Sequence, residues 1–214
     1  MLADGQLYPP QLELINENIT SSWFDKTAAD EIMPDPLKSG AYTWIKSVRY
    51  AGRHFQVGPL ARMIINGFYK GGTATMDRIY TRTMETLLLT ELVQEWFKKL
   101  KPGPPPIRQK STPVKKEVTA VTDAMRGALL HTMITEDERV VKYNIITPTV
   151  WNFSPKDECG GRGPLESALV GTEIENQDML FTILGRTIRS FDPCISCATH
   201  LLDCKGILKR TVVF

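Results

Sequence analysis

The residues with the clearest chemical potential lie in the stretch 191–200, Phe-Asp-Pro-Cys-Ile-Ser-Cys-Ala-Thr-His. It holds Cys194 and Cys197, together with His200 and Asp192. The Asp-Pro pair predicts a helix start, with Asp192 as the N-cap and Pro193 at the first helical position. The two thiols would then share one helical face near the positive end of the helix dipole. That position favours the thiolate form, which binds soft or borderline metals.

The Cys-x-x-Cys spacing alone is compatible with several kinds of site. It could be half of a zinc site, a dithiol redox pair or a coincidence. A structural zinc needs roughly four ligands, and the sequence has no second Cys-x-x-Cys or His-x-His cluster. A dithiol redox site usually lies in βαβ surroundings, which are not predicted here. A zinc-binding structural module and a dithiol redox protein, both using Cys194 and Cys197, therefore stay open as alternatives at this point.

Composition indicates an ordinary globular protein. The 214 residues are 42% hydrophobic and 23% charged, with a net charge of +2, which gives no argument for a nucleic-acid partner. No run of about 18 apolar residues predicts a membrane span. Residues 1–10 lack the basic and apolar regions of a signal peptide. Four cysteines, two of them in one short motif, do not suggest a disulfide-stapled secreted scaffold.

Helical periodicity and turn signals predict the elements that position this stretch. Gly58-Pro59 opens a helix that runs to Ile65, and residues 75–100 carry a broad apolar stripe that predicts a buried core helix. Shorter helices are expected at residues 11–19, 165–170 and 176–189, the last with Met179, Ile183 and Ile188 facing inward. Residues 42–50 predict a strand, and residues 127–135 and 138–147 a β-hairpin. Between them, residues 101–116 predict a proline-rich, basic loop.

Four islands of sequence, taken together, resemble the large subunit of nickel–iron hydrogenases. They are Tyr-Thr-Trp-Ile-Lys-Ser-Val-Arg-Tyr at 42–50 with Val-Gly-Pro-Leu-Ala-Arg-Met at 57–63; Asp-Ala-Met-Arg-Gly-Ala-Leu-Leu-His at 123–131; Pro-Thr-Val-Trp-Asn at 148–152; and residues 191–200. Asp-Pro-Cys-x-x-Cys followed by a near-terminal histidine is the family's C-terminal metal motif. The resemblance covers the C-terminal half of a usual large subunit, and the island at 42–63 is typical of the uptake, membrane-bound branch.

The resemblance implies an α+β, mainly helical fold, with long helices around a buried metal site and a small β-hairpin. It implies reversible oxidation of H2 to protons and electrons at a Ni–Fe centre that carries CO and cyanide. Cys194 would be a terminal nickel ligand, and Cys197 would bridge nickel and iron. Soft thiolates suit nickel, so the chemistry of the residues agrees with this assignment.

Further roles also come from the resemblance. Arg126 would lie over the metals, hydrogen-bond a cyanide and serve as a base in hydrogen splitting, with Asp192 orienting it. Thr149 would donate a hydrogen bond to the other cyanide, and the preceding Pro148 would belong to the same cofactor-binding island. A buried arginine between metal-bound anions and a carboxylate is physically reasonable, because its charge is offset on both sides.

Magnesium and proteolytic maturation complete the implied picture. His200 and the backbone carbonyl of Ile145 would bind Mg²⁺. A nickel-dependent maturation endopeptidase would cut after His200, so residues 1–200 would form the large-subunit part and residues 201–214 a removable extension. Cys204 lies in that extension and is not expected to be catalytic.

The sequence also departs from the family pattern. The family's Arg-x-Cys-Gly-x-Cys motif, which supplies the other two metal-binding cysteines, does not occur in residues 1–214. We therefore expect the chain to be inactive alone and to need an N-terminal half and an iron–sulfur small subunit. The resemblance also implies co-export with the small subunit to the periplasmic side of the cytoplasmic membrane, with membrane association through partner subunits. Apolar helix faces meant for the missing part would be exposed.

Overall fold

In a computed structural model of the chain, the described residues are 2–28, 31–104, 116–137, 139–174, 176–194, 198–202 and 208–213. They form the α-helices α1 (Pro59–Ile65), α2 (Thr75–Lys99), α3 (Pro148–Asn152), α4 (Pro164–Leu169) and α5 (Leu180–Ser190), with 3-10 turns at Leu12–Leu14 and Gln177–Met179. The strands are β1 (Leu2–Ala3), β2 (Gln6–Leu7), β3 (Ile15–Asn18), β4 (Phe24–Lys26), β5 (Ile32–Pro34), β6 (Ser47–Tyr50), β7 (Lys116–Ala124), β8 (Gly127–Glu136), β9 (Arg139–Ile146), β10 (Ala198–Leu202) and β11 (Leu208–Val213).

The chain divides into two units. The first unit is Met1–Tyr8 with Val57–Pro148, and the second is Pro9–Gln56 with Thr149–Phe214. The first unit is therefore largely inserted, in sequence, between the two parts of the second.

The first unit contains a three-stranded antiparallel meander and a helical pair. The strand order is β7-β8-β9, so the hairpin predicted from the sequence is confirmed as β8 and β9. Strand β7 was not predicted, because its neighbours in sequence are proline-rich and basic. Leu130 and Ile146 lie opposite each other in β8 and β9 and are both buried. Helix α1 packs against α2 and buries Leu60 and Met63.

Helix α2 has the predicted bounds but not the predicted burial. Its buried residues are Arg78 and Thr81, and burial lowers the pKa of Arg78 to about 10, against the opposing effect of Asp77. The apolar stripe is exposed at many positions, with Trp96 at 56% and Phe97 at 76% of their surface. The interpretation of α2 as a core helix is therefore wrong for this chain. The expectation of exposed apolar helix faces agrees with the structure.

The second unit is built on a strand pair and three short helices. Strands β3 and β6 pair antiparallel, Ile15 opposite Tyr50, and all four residues of β6 are buried. Part of the predicted helix at residues 11–19 is thus strand β3, preceded by a single 3-10 turn, and the helix prediction is wrong there. Strands β4 and β5 form a second antiparallel pair.

Helices α4 and α5 supply the apolar core of the second unit. Leu165, Ile188 and Phe191 form a buried cluster, and Phe153, Ala168 and Leu169 pack against it. The predicted inward position of Ile188 is confirmed, whereas Met179 is 41% exposed and was predicted wrongly. After α5 the chain reaches β10, which pairs antiparallel with β11.

The architecture is α+β, but the expectation of a mainly helical fold is not confirmed. The described residues divide between helices and many short strands, and several of the strands replace segments that were predicted as helix or loop. Within the described ranges, no helix is both long enough and apolar enough to cross a membrane.

Candidate metal centre

The structure brings Cys194 and Thr149 together in the second unit. The Thr149 hydroxyl lies 3.1 Å from the Cys194 sulfur, a hydrogen-bond distance. Cys194 is a free cysteine of intermediate exposure, whereas Thr149 is buried. A partly accessible cysteine sulfur can serve as a metal ligand, and here a buried hydroxyl lies beside it.

Two parallel contacts between α3 and the segment after α5 hold this pair in place. Helix α3 begins at Pro148, so Thr149 stands in its first turn. Phe153 directly follows α3, and its backbone N–H donates to the Thr149 carbonyl at 2.9 Å. Phe153 makes an edge-to-face contact with Phe191, with ring centroids 6.3 Å apart. Because Phe191 belongs to the apolar core and Phe153 packs against it, the core anchors the two segments that carry Thr149 and Cys194.

Asp192 is not the N-cap of a helix, and this corrects the sequence interpretation. Its φ is +53°, in the left-handed region, whereas an N-cap residue has an extended backbone. Its backbone N–H donates to the carbonyl of Arg189, so Asp192 terminates α5. Pro193 and Cys194 are not helical and residues 198–202 form strand β10, so the predicted helix start at Pro193 is wrong. The argument that a helix dipole favours thiolate at Cys194 falls with it.

The other three predicted metal ligands are Cys197, His200 and the backbone carbonyl of Ile145. Cys197 lies outside the described residues. His200 has its backbone in β10, opposite Thr211, and its side chain is not among the described parts. Ile145 lies in β9, opposite His131, in the first unit. The proposed pairing of His200 with the Ile145 carbonyl therefore stays a prediction.

Arg126 lies in the first unit, in the two-residue turn Met125-Arg126 that joins β7 to β8. Two glycines allow the start of α1 to approach this turn. A Cβ on Gly58 would lie 2.8 Å from the carbonyl oxygen of Arg126, and one on Gly127 would lie 2.6 Å from the Gly58 nitrogen. Gly58 and Gly127 also have φ values of +116° and +130°. Both positions therefore require glycine. Asp192, the predicted partner of Arg126, lies in the second unit, so their pairing stays a prediction.

A buried polar network ties β6 to the segment after α3. The Val48 N–H donates to the Ser154 hydroxyl at 2.9 Å, and the Ser47 hydroxyl donates to the Pro155 carbonyl at 2.7 Å. Arg49, only 3% exposed, donates to Asp157 at 2.9 Å. These contacts fix the segment that directly follows α3, at Ser154 and Pro155, five and six residues beyond Thr149.

Asp157 is the carboxylate at the centre of this network. Its Oδ1 accepts from the backbone N–H groups of Cys159 and Gly161, and its Oδ2 accepts from Arg49. Burial acts to raise the pKa of Asp157, but the Arg49 hydrogen bond and charge and the two backbone donors outweigh it, so the pKa is lowered. Sequence reasoning did not single out Asp157; the signal available was its place in a turn-rich segment, which is weak.

The described part of the site supplies one candidate metal-binding thiol. Among the described residues, no group of three His, Cys, Asp or Glu side chains is placed to hold a metal ion. Cys194 and its hydroxyl neighbour fit one thiolate position of a nickel centre in donor chemistry. Further ligands would come from outside the described residues, where the predicted ligand Cys197 lies.

Comparison with known proteins gives a consistent answer. The model of the nickel-dependent hydrogenase family matches residues 5–74 and 69–200. The periplasmic NiFeSe hydrogenase large subunit of Desulfomicrobium baculatum is 33% identical over 230 residues, covering 93% of this chain and 45% of that protein. The uptake hydrogenase large subunit of Bradyrhizobium diazoefficiens is 30% identical, covering 85% of this chain and 35% of its own length.

Solved structures agree. The Ni-Fe-Se hydrogenase from D. vulgaris Hildenborough in the reduced state aligns with a TM-score of 0.81 and 30% identity, over 90% of this chain and 46% of that one. The fold is thus that of a hydrogenase large subunit. The chain belongs to the nickel-dependent hydrogenase family, and it spans less than half the length of the relatives named here.

Proposed function

We propose that this chain forms part of the catalytic large subunit of a nickel–iron uptake hydrogenase. The observation that carries the proposal is the Thr149–Cys194 contact, set on the Phe153–Phe191 core inside the region that matches the family. A Ni–Fe centre with CO and cyanide ligands, when bound, would supply the reversible conversion of H2 to protons and electrons. The zinc and dithiol alternatives are not favoured, because the matched relatives are hydrogenases.

The chain's own residues would hold and orient that centre. Cys194 and Cys197 would bind the metals through their sulfur atoms. Thr149, in the island that begins with Pro148, would donate its hydroxyl hydrogen bond toward a metal-bound cyanide. Its 3.1 Å distance from the Cys194 sulfur supports this role, because it places a donor beside the first candidate ligand.

Arg126 would present its guanidinium to the other cyanide, with the Asp192 carboxylate accepting from it. Both residues are partly buried, and a cation shared between anions gains from the reduced solvent screening there. His200 and the Ile145 carbonyl would bind Mg²⁺, which prefers oxygen ligands and usually keeps several waters.

The assembly would include other polypeptide segments. Residues 1–214 contain no Arg-x-Cys-Gly-x-Cys, so we expect the other two thiolates from a segment equivalent to the relatives' N-terminal half. An iron–sulfur small subunit would accept the electrons. A maturation endopeptidase would remove residues 201–214. Localisation would be periplasmic, with membrane association through partner subunits, as the name of one relative, a periplasmic hydrogenase, suggests.

The test is metal content with a matched cysteine control. The chain is co-expressed with the complementing large-subunit segment, the small subunit and the maturation proteins, and the purified complex is assayed for nickel, iron and H2-dependent dye reduction. Cys194→Ser should abolish nickel binding and activity. Cys159→Ser, at an exposed cysteine, should leave both unchanged.

Two results would contradict the proposal. One is nickel content and activity that are the same in Cys194→Ser and in the unmodified complex. The other is stoichiometric zinc in place of nickel, which would favour the structural zinc module.

A further inference from the structure

The turn that carries Arg126 does not have the conformation that usually stabilises a two-residue hairpin. Ala124 pairs with Gly127, so Met125 and Arg126 are the two turn residues. The favoured turns of this length place positive φ at the first or at both central residues. Here the positive φ falls instead on Gly127, at +130°, and neither central residue is among the described residues with positive φ. The turn is thus not of the commonest type for two central residues, and contacts from helix α1 add to the hairpin's own pairing in holding it.

Arg62, in α1, supplies those contacts. Its Nη1 donates to the Ala124 carbonyl at 3.0 Å and to Asp123 at 2.9 Å, and its Nη2 donates to the Met125 carbonyl at 2.9 Å. One guanidinium thus forms three hydrogen bonds to the last two residues of β7 and the first residue of the turn. Arg126 is the next residue along the chain.

The Arg62 side chain is itself held by Glu85, a residue of α2. The two carboxylate oxygens of Glu85 accept from Nε and Nη2 of Arg62, each at 2.6 Å. The Glu85 side chain is 12% exposed and the Arg62 side chain 23%. With the three bonds to the hairpin, all five N–H donors of Arg62 are used, which only the planar fork of an arginine can do.

The N-cap residue of the same helix, Gly58, also approaches the Arg126 backbone. Because a Cβ on Gly58 would lie 2.8 Å from the Arg126 carbonyl oxygen, the start of α1 abuts the turn directly. Helix α1 thus meets the turn at two points one helical turn apart, Gly58 and Arg62. These two contacts constrain the backbone of the turn from which the Arg126 side chain extends.

We propose that Arg62, locked by Glu85, is a positioning residue that fixes the Met125-Arg126 turn and so aims the Arg126 guanidinium. The inference deepens the proposed function, on which the role of Arg126 rests. The contacts of Arg62 with the turn, however, are independent of any metal. Lysine at this position cannot reproduce them, because it offers a single point charge without the bidentate fork.

Hydrogen–deuterium exchange on the chain tests the mechanical part of the proposal. Arg62→Lys should speed amide exchange in peptides covering residues 122–128 about tenfold or more, since hydrogen bonds to a charged group are lost. Arg139→Lys, at an exposed arginine of β9 in the same unit, is the control and should change exchange there less than about twofold. If Arg62→Lys does not fold, Asp123→Ala removes one contact at a side chain that is 48% exposed. It should give a smaller increase at the same peptides.

The nickel-loaded complex tests the positioning of Arg126 itself. Arg62→Lys should lower kcat about tenfold with nickel content unchanged, and should shift the infrared bands of the cyanide that Arg126 would hydrogen-bond. The double variant Arg62→Lys/Arg126→Lys should be no slower than Arg126→Lys alone, because both act through one group.

The outcomes separate the two proposals. Unchanged exchange at residues 122–128 overturns the role of Arg62, whatever the complex does. Faster exchange with unchanged kcat and unchanged infrared bands overturns the aiming of Arg126. Failure of the unmodified complex to bind nickel overturns the proposed function, while the exchange result still decides whether Arg62 fixes the turn.

Discussion

Asp157 offers the sharpest test of how the second unit is held together. Replacing one partner of a buried ion pair typically costs about 3 to 5 kcal/mol. Asp157 keeps 15% of its side chain exposed. Arg49 also retains three backbone carbonyl acceptors, on Val48, Pro155 and Gly161. We therefore expect Asp157→Ala to lower the free energy of unfolding by about 2 to 3 kcal/mol, and Asp157→Asn by about 1 to 2 kcal/mol.

Urea unfolding followed by tryptophan fluorescence measures this loss, because Trp23, Trp44 and Trp151, three of the four tryptophans, belong to the second unit. The midpoint should fall with the m-value unchanged. Glu158→Gln, at the exposed neighbouring carboxylate, is the matched control and should stay within about 0.5 kcal/mol.

The pH dependence of the free energy of unfolding tests the Asp157 ion pair independently. The folded-state pKa of Asp157 is lowered, so its contribution is fully present above the unfolded value of about 3.9 and is lost as pH falls through the folded value. The difference between the unmodified chain and Asp157→Asn should be constant between about pH 5 and 7 and should shrink below about pH 4. A difference that persists at low pH, or no difference at pH 7, would refute the ion-pair reasoning.

Three further substitutions probe other contacts. Gly58→Ala should destabilise the first unit by at least about 2 kcal/mol in thermal unfolding, because it combines a positive φ with a backbone clash. Gly67→Ala, with positive φ but open space around it, is the control and should cost only about 1 kcal/mol. Equal costs for the two variants would contradict the clash. Tyr42→Phe should lower the free energy of unfolding by about 1 kcal/mol. Burial, followed by the hydrogen bond to the Glu166 carboxylate, raises the pKa of Tyr42 to about 12, so the stability difference between the two chains should shrink as pH rises from about 10 to 12. A stability difference that stays constant over that range would argue against this hydrogen bond. Phe191→Ala should cost about 3 to 5 kcal/mol by the same unfolding assay, and a loss below about 1 kcal/mol would mean that the core does not extend to this ring.

Local signals located α1, α2, α4 and α5, because proline and periodicity act within a few residues, but they wrongly predicted helices at residues 11–19 and from Pro193. Pro59 and the apolar period of residues 75–100 located α1 and α2 correctly. The burial of α2 could not be predicted in the same way, since a stripe shows what a helix can bury and not whether a partner is present. Ile15 lies in a strand because it pairs with Tyr50, 35 residues later, and no local pattern shows such a partner.

The candidate site was predictable only in part. The type and spacing of Cys194 and Cys197 indicated metal or redox chemistry, and the family resemblance chose between them. Asp-Pro was taken for a helix start, but an aspartate can also adopt the left-handed conformation that ends a helix. The contact of Thr149 with Cys194 joins residues 45 positions apart, so only the fold could show it.

The contacts of strand β6 have a consequence for the order in which the chain folds. Val48 and Ser47 find hydrogen-bond partners 106 and 108 positions later, at Ser154 and Pro155. At roughly 5 to 20 residues per second, a ribosome needs roughly 5 to 20 seconds to synthesise the intervening chain. During that interval the Val48 N–H and the Ser47 hydroxyl of β6 lack these partners. Strands β7, β8 and β9 pair with their neighbours in sequence, so this sheet can form as soon as it has been synthesised. The second unit is therefore expected to be the last to complete, and the more exposed of the two to misfolding and proteolysis during synthesis.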